Sequence, residues 1–236
     1  MSSQVNGNAV NARFPAAQGK YNHWWQKVNA NPKELKIAPP NLIDYNMCLA
    51  AVRKHGYAIE YVPKHILDVR LIVYALKRDG LALDCVPIYL RTEEICRIAC
   101  ETDSRALRLV PIEHLEAIAP AVLQKDGQAL KGIKKDATDE MIRIAVESEP
   151  LALQHVPKQR QNYTLVLNAV SKNGDALQFV DHNLFTDELI ETALQHDRYG
   201  WVGQCLPKDW YMKYREKIKR FDVGVDEQIL PIINSK

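Results

Sequence analysis

No stretch of eighteen apolar residues occurs in this 236-residue chain, so no segment is long and apolar enough to span a bilayer as a helix. The N-terminus also lacks the apolar core of a secretory signal, which points to synthesis in a cytosol. Cysteine is sparse and odd in number: Cys48, Cys85, Cys96, Cys100 and Cys205 read as free thiols of a reducing compartment, in a chain long enough to need no disulfide staples. Acid is missing altogether up to Lys33, where the chain carries only Arg13, Lys20, Lys27 and Lys33. Residues 208–221 hold six basic side chains against two acidic ones, so with a net charge of +2 the body between the two basic ends is acidic. That distribution excludes a nucleic-acid groove running along the whole molecule. Gly-rich phosphate loops, nucleophile elbows and zinc-binding helix signatures are absent too, and no catalytic residue, cofactor or metal ligand is assigned.

What the chain does contain is one short phrase repeated. It runs Gly56-Tyr-Ala58-Ile59-Glu-Tyr-Val62-Pro63, then Gly80-Leu-Ala82-Leu83-Asp-Cys-Val86-Pro87, then Ser104-Arg-Ala106-Leu107-Arg-Leu-Val110-Pro111. A worn copy, Gly127-Gln-Ala129-Leu130-Lys-Gly-Ile133-Lys134, precedes Pro150-Leu-Ala152-Leu153-Gln-His-Val156-Pro157 and Gly174-Asp-Ala176-Leu177-Gln-Phe-Val180-Asp181. The period is 23 or 24 residues. A unit this short cannot bury its own apolar face, so self-similarity at this spacing predicts stacked copies, with function on a surface rather than in a deep pocket.

Each copy reads as a helical hairpin. The starts fall at Asp44, Asp68, Thr92, Leu115, Thr138, Asn162 and Thr186, and six of these seven carry a side-chain oxygen suited to capping a helix N-terminus. Acidic residues follow in Thr92-Glu93-Glu94, Thr138-Asp139-Glu140 and Thr186-Asp187-Glu188, as the helix dipole prefers. Apolar side chains at the fourth, fifth, eighth and ninth positions, such as Leu71, Ile72, Ala75 and Leu76, share one helical face. Gly56, Gly80, Gly127 and Gly174 then stand where a left-handed residue would end the helix. A shorter second helix carries Ala and Leu, and Pro closes it. The constant Ala column marks a crossing at which Ala106→Leu would overpack. Leu115 in place of a cap and Pro120 inside the first helix predict a kink in the fourth copy. The seventh copy, ending in Cys205-Leu206-Pro207, reads as a terminal cap.

The expected fold is therefore an all-α solenoid of six to seven helical hairpins with capping helices at its ends. Residues 1–20 form a disordered tail, 21–43 an N-terminal cap, 44–207 the repeat array, and 208–236 a C-terminal capping helix and tail. A helix of this pattern followed by Gly-x-Ala-Leu-x-x-Val-Pro resembles a bacterial tandem-repeat family classed as a domain of unknown function, common in large secreted effectors of pathogens and symbionts. The resemblance covers about residues 44–207 and supplies no catalytic motif. It implies a protein made in a bacterial cytoplasm and delivered into a host cell, with the acid-free, Ser/Asn/Gln-rich N-terminus resembling a type III secretion leader.

Candidate chemistry is weighed against packing. Cys96 and Cys100 lie one helical turn apart, but their columns elsewhere hold Ile72, Ile142 and Val166, or Leu76, Val146 and Val170, so both read as core thiols rather than metal ligands. Cys85 and His155 share a column with Tyr61, Leu109 and Phe179, a packing site. His23, His55, His65, His114, His182 and His196 have no recurrent Cys, Ser or acidic partner. Arg53-Lys54 and Lys77-Arg78, with Lys125 and Lys172 further along, could form a basic ridge or simply complement helix C-termini. The leading expectation is a non-enzymatic protein-binding module that engages a host protein. Its variable columns are Arg53, Lys77 and Glu101, and Tyr57, Leu81 and Arg105, with Lys54 and Arg78 beside them. The second expectation is binding to an anionic, phosphoinositide-bearing membrane surface through the basic residues and the last helix, where Trp210 and Tyr214 face one way and Lys213, Lys217 and Arg220 another. An enzyme with an unrecognised site ranks third.

Overall fold

The computed structural model describes residues 15–197 and 200–221, with side chains from Gln18 to Asp197 and from Gly200 to Ile218. The expected leader before Pro15 lies outside the described residues. Every described element is an α-helix or a 3-10 helix, without a strand among the described residues. The chain divides into two compact units, Met1–Ile118 and Ala119–Lys236.

In the first unit, α1 (Pro15–Ala30) is followed by two 3-10 turns, Pro32–Lys36 and Pro40–Leu42, and then by α2 (Tyr45–Lys54), α3 (Val69–Arg78) and α4 (Glu93–Thr102). The helix thus begins inside the segment expected to be a disordered tail. α1 packs on α2, α2 on α3 and α3 on α4. α5 (Ile112–Lys125) runs across the division between the units. In the second unit come α6 (Leu130–Ile133), α7 (Asp139–Ser148), α8 (Tyr163–Lys172), α9 (Asp187–Gln195), α10 (Trp201–Cys205) and α11 (Lys208–Phe221). There α7 packs on α8, α8 on α9, and α11 on both α9 and α10.

The capping expectation holds at six of seven starts. Side chains of Asp44, Asp68, Thr92, Thr138, Asn162 and Thr186 accept the backbone N–H three residues on, at 2.8–3.4 Å. Leu115 is the exception: it is buried inside α5, which starts at Ile112. With no short polar residue to interrupt it, the helix runs straight on from Pro111, whose carbonyl takes the His114 N–H at 2.9 Å. Pro120 sits in mid-helix, as the sequence requires.

The apolar faces lie where the spacing puts them. Met47, Cys48, Ala51 and Val52 are fully buried on α2, and Leu71, Ile72, Ala75 and Leu76 on α3. Ile95, Cys96, Ala99 and Cys100 on α4, Met141, Ile142, Ala145 and Val146 on α7, and Leu189, Ile190, Ala193 and Leu194 on α9 repeat the pattern. The Ala column is buried throughout, from Ala58 to Ala176.

Two expectations about the hairpin need correction. The second helix is a 3-10 helix in five copies (Gly56–Tyr61, Gly80–Cys85, Ser104–Leu109, Pro150–His155 and Gly174–Phe179), and it is α-helical in the worn copy, over Leu130–Ile133, and in the terminal one, over Trp201–Cys205. The glycines are not left-handed either; among the described residues only Gly200 has a positive φ, of 73°. A single extended residue makes the break instead: His55, Asp79, Asp103, Glu149 and Asn173 have φ between −139° and −152°. Each donates its own N–H to the alanine carbonyl four residues back, as Asp79 does to Ala75 at 2.8 Å. The glycines are needed for a close approach to the next copy. A β-carbon on Gly56 would stand 2.6 Å from the Ala75 carbonyl oxygen, and on Gly80, Gly127 and Gly174 it would stand closer still to those of Ala99, Ala145 and Ala193. Ser104 and Pro150 occupy the same column, so the approach is not uniform.

Candidate interaction surface

The last turn of each first helix and the start of each 3-10 helix vary in sequence from copy to copy and carry exposed side chains. Arg53, Lys77 and Glu101, at equal positions of α2, α3 and α4, are exposed. Arg53 lies over the Tyr74 ring of the next helix at 4.6 Å and donates to its hydroxyl at 3.1 Å, while Lys77 and Arg78 extend into solvent. Tyr57 and Leu81 are half-buried and Arg105 is exposed. Arg105 grips Asp103, with its Nη2 2.6 Å from Oδ2, and lies near the Asp79 carboxylate and the Tyr57 phenol. That grip, more than any other influence, holds the Asp103 carboxyl below the usual range. Burial, with Asp79 nearby, pushes the Tyr57 phenol up. Three copies thus bring Tyr57, Asp79 and Arg105 into one electrostatic neighbourhood.

The basic ridge is only partly free. Lys54 Nζ donates to the carbonyls of Asn29 and Ala30, at 2.6 and 3.1 Å, closing the end of α1. Lys172 does the same for the Glu147 carbonyl near the end of α7, at 2.8 Å, and Ser148 reaches the Gln124 carbonyl at 2.8 Å. At these three sites the side chain satisfies a carbonyl left without a partner near the C-terminus of the preceding helix.

On α11, Tyr214 and Ile218 are buried, and Trp210 packs edge-on against Phe185 with ring centroids 6.0 Å apart. Gly203 of α10 leaves room for the Ile218 side chain. The Tyr214 hydroxyl donates to Asp187 at 2.7 Å, Lys213 pairs with the same carboxylate, and Lys217 pairs with Glu191, so both described lysines of the basic stripe meet acids of α9. Lys213 and Tyr214 together hold the Asp187 carboxyl low. The side chain of Arg220 and that of Phe221 lie outside the described residues.

An apolar edge escaped the reading of columns. Ile88, Tyr89 and Ile112 follow directly on Pro87 and Pro111 and are 64%, 75% and 68% exposed. Ile88 and Ile112 hold the same place in consecutive copies, where other copies carry Lys64, Lys158 and His182. The signal in the sequence is that contrast: apolar residues just outside the closing proline, beyond the face that the helix period buries.

Cys48, Cys96 and Cys100 sit in the core, while Cys85 and Cys205 are half-buried. Burial pushes Cys48 and Cys100 up to about 12 and Cys85 and Cys96 to about 11. Among the described residues no cluster of three or more His, Cys, Asp or Glu could hold a metal ion.

A family model described as a domain of unknown function (DUF4116) matches residues 138–185. That span opens on the Thr138 cap and stops one residue short of the Thr186 cap, so it takes in two complete 24-residue copies. No curated protein and no solved structure matches the chain.

Proposed function

We propose that the hairpins stack as an all-α solenoid closed by helices at its ends, and that the chain is a protein-binding scaffold without catalysis of its own. The observation that carries this reading is the exposed edge of Ile88, Tyr89 and Ile112. Large apolar side chains left this open on successive copies cost solubility, and a partner that covers them recovers about 25 cal/mol for each Å² removed from water. Tyr57, Leu81 and Arg105, with Arg53, Lys77 and Glu101, add side chains of the aromatic and arginine kinds from which interfaces draw most of their binding energy. The setting of a bacterial effector acting on a host protein rests on the resemblance of the repeated phrase alone. A membrane-binding role for α11 has less to work with, since Tyr214 and Ile218 are buried and Lys213 and Lys217 are already paired.

The test is affinity capture from host-cell lysate with the wild type and an Ile88→Asp/Tyr89→Asp variant side by side. Both sites are exposed, so the variant should keep its helical circular dichroism and its unfolding midpoint. Proteins that survive a salt wash on the wild type and are lost from the variant support the reading. An identical set on both, or none on either, overturns it.

A further inference from the structure

The worn fourth copy does something the others do not. Where they close with Val-Pro, it runs Leu130-Lys131-Gly-Ile133-Lys134-Lys135, and without the proline the chain stays helical, with Lys134 at φ −50° and ψ −27°. The spacing of 131, 134 and 135 puts three lysines on one face of this turn. All three are exposed, and none has a hydrogen-bond or ion-pair partner among the described residues. Lys54, Lys172, Lys213 and Lys217, by contrast, all bond within the fold.

The next copy faces them. Lys134, Lys135, Gln154, His155, Pro157 and Arg160 line an open pocket of about 430 Å³, within the range of small-molecule sites, together with buried Val156. Arg160 is a wall rather than a free donor, because its guanidinium pairs with Asp139 and donates to the Ala137 carbonyl at 2.7 Å. His155 Nε2 lies 3.0 Å from Gln128 Oε1, whose amide is oriented by its bond to Glu149 at 2.9 Å. A carbonyl oxygen only accepts, so Nε2 carries the proton and Nδ1 is left to receive one.

We propose that Lys131, Lys134 and Lys135 of one copy, with His155 of the next, form a receptor for a small, multiply phosphorylated anion. Three neighbouring ammonium groups repel one another until an anion with several charged oxygens bridges them, and a single carboxylate could satisfy only one. Burial, followed by the charges of Lys131 and Lys134, holds the His155 imidazole low, while Glu149 opposes them. A bound polyanion outweighs the lysines, so His155 gains a second proton and becomes a fourth donor.

The phosphoryl groups could be free in solution or carried on a lipid headgroup, and the experiment separates the two. Titration calorimetry at fixed ionic strength measures inositol hexakisphosphate binding to the full chain, to Lys134→Glu/Lys135→Glu and to Lys213→Glu/Lys217→Glu. Vesicle flotation compares phosphatidylinositol 4,5-bisphosphate with phosphatidylserine. The expected result is binding weakened at least about tenfold by the first pair of substitutions, from the loss of two charge-assisted contacts, and kept by the second. The His155 titration followed by NMR should move to higher pH when the probe is present. Flotation on the phosphoinositide vesicles alone would assign the lipid source; binding only of the free probe would assign the soluble one. No binding of either probe, or equal binding by wild type and Lys134→Glu/Lys135→Glu, overturns the site.

Discussion

A glycine in this repeat is chosen by what stands next to it in space rather than by its own backbone angles. The carbonyl of Ala99 ends α4's hydrogen-bond ladder by taking the Asp103 N–H, and Gly80 of the preceding copy presses against that same oxygen. Gly80→Ala must therefore push a helix end away, which should cost about 1–3 kcal/mol in denaturant unfolding. Gly19→Ala, with nothing within 4 Å of the added carbon, should be neutral or stabilising by up to about 1 kcal/mol. Equal effects at the two sites would contradict the close approach. The sequence displays these glycines at a fixed place in each copy but cannot show the neighbouring carbonyl, so a left-handed turn is the natural expectation. The correct reason lies in a contact 19 residues away.

Among elements, what the sequence makes legible is whatever is decided within one turn. Caps depend on a side-chain oxygen and an N–H three residues on, and the buried face depends on a 3.6-residue period, so both were readable at Asp68 or on α3. Thr92→Ala removes such a cap from α4 and should lower stability by about 1 kcal/mol, measured from urea unfolding. An unchanged midpoint would mean that the bond carries no weight. The 3-10 form of the second helix was not legible, because six residues such as Gly80–Cys85 hold too few turns for 3.0 and 3.6 residues per turn to diverge in pattern. The start of α5 was lost for a related reason: the register of neighbouring copies pointed to Leu115, while Pro111 sets the helix going earlier. On the surface, variable columns such as Tyr57 and Arg105 could be read from repetition. Lys54 shows the limit, since its partners, Asn29 and Ala30, belong to a different helix.

For the molecule as a whole, burying thiols and phenols ties stability to alkaline pH. Cys48, Cys96 and Cys100 hold their protons up to about 11 or 12 against 9.0 for an ordinary thiol, and Tyr21 and Tyr214 are shifted the same way by burial and by their bonds to Asp44 and Asp187. The folded chain binds these protons more tightly than the unfolded one, so the stabilisation is complete below about pH 9 and is lost as pH climbs through the folded values. The unfolding midpoint should be flat from pH 7 to about 9 and fall above it. A midpoint that rises there would show that the thiols are not in the core. The contact on which the whole repeat depends, however, is each hairpin's approach to the next. NMR measures it directly as nuclear Overhauser effects from the Hα protons of Gly56, Gly80 and Gly127 to the Hβ protons of Asp79, Asp103 and Glu149, whose β-carbons lie against those glycines. All three cross-peaks are expected alongside the local cap contacts of Asp68 and Thr92; cap contacts present without any of the three would contradict the packing of successive copies.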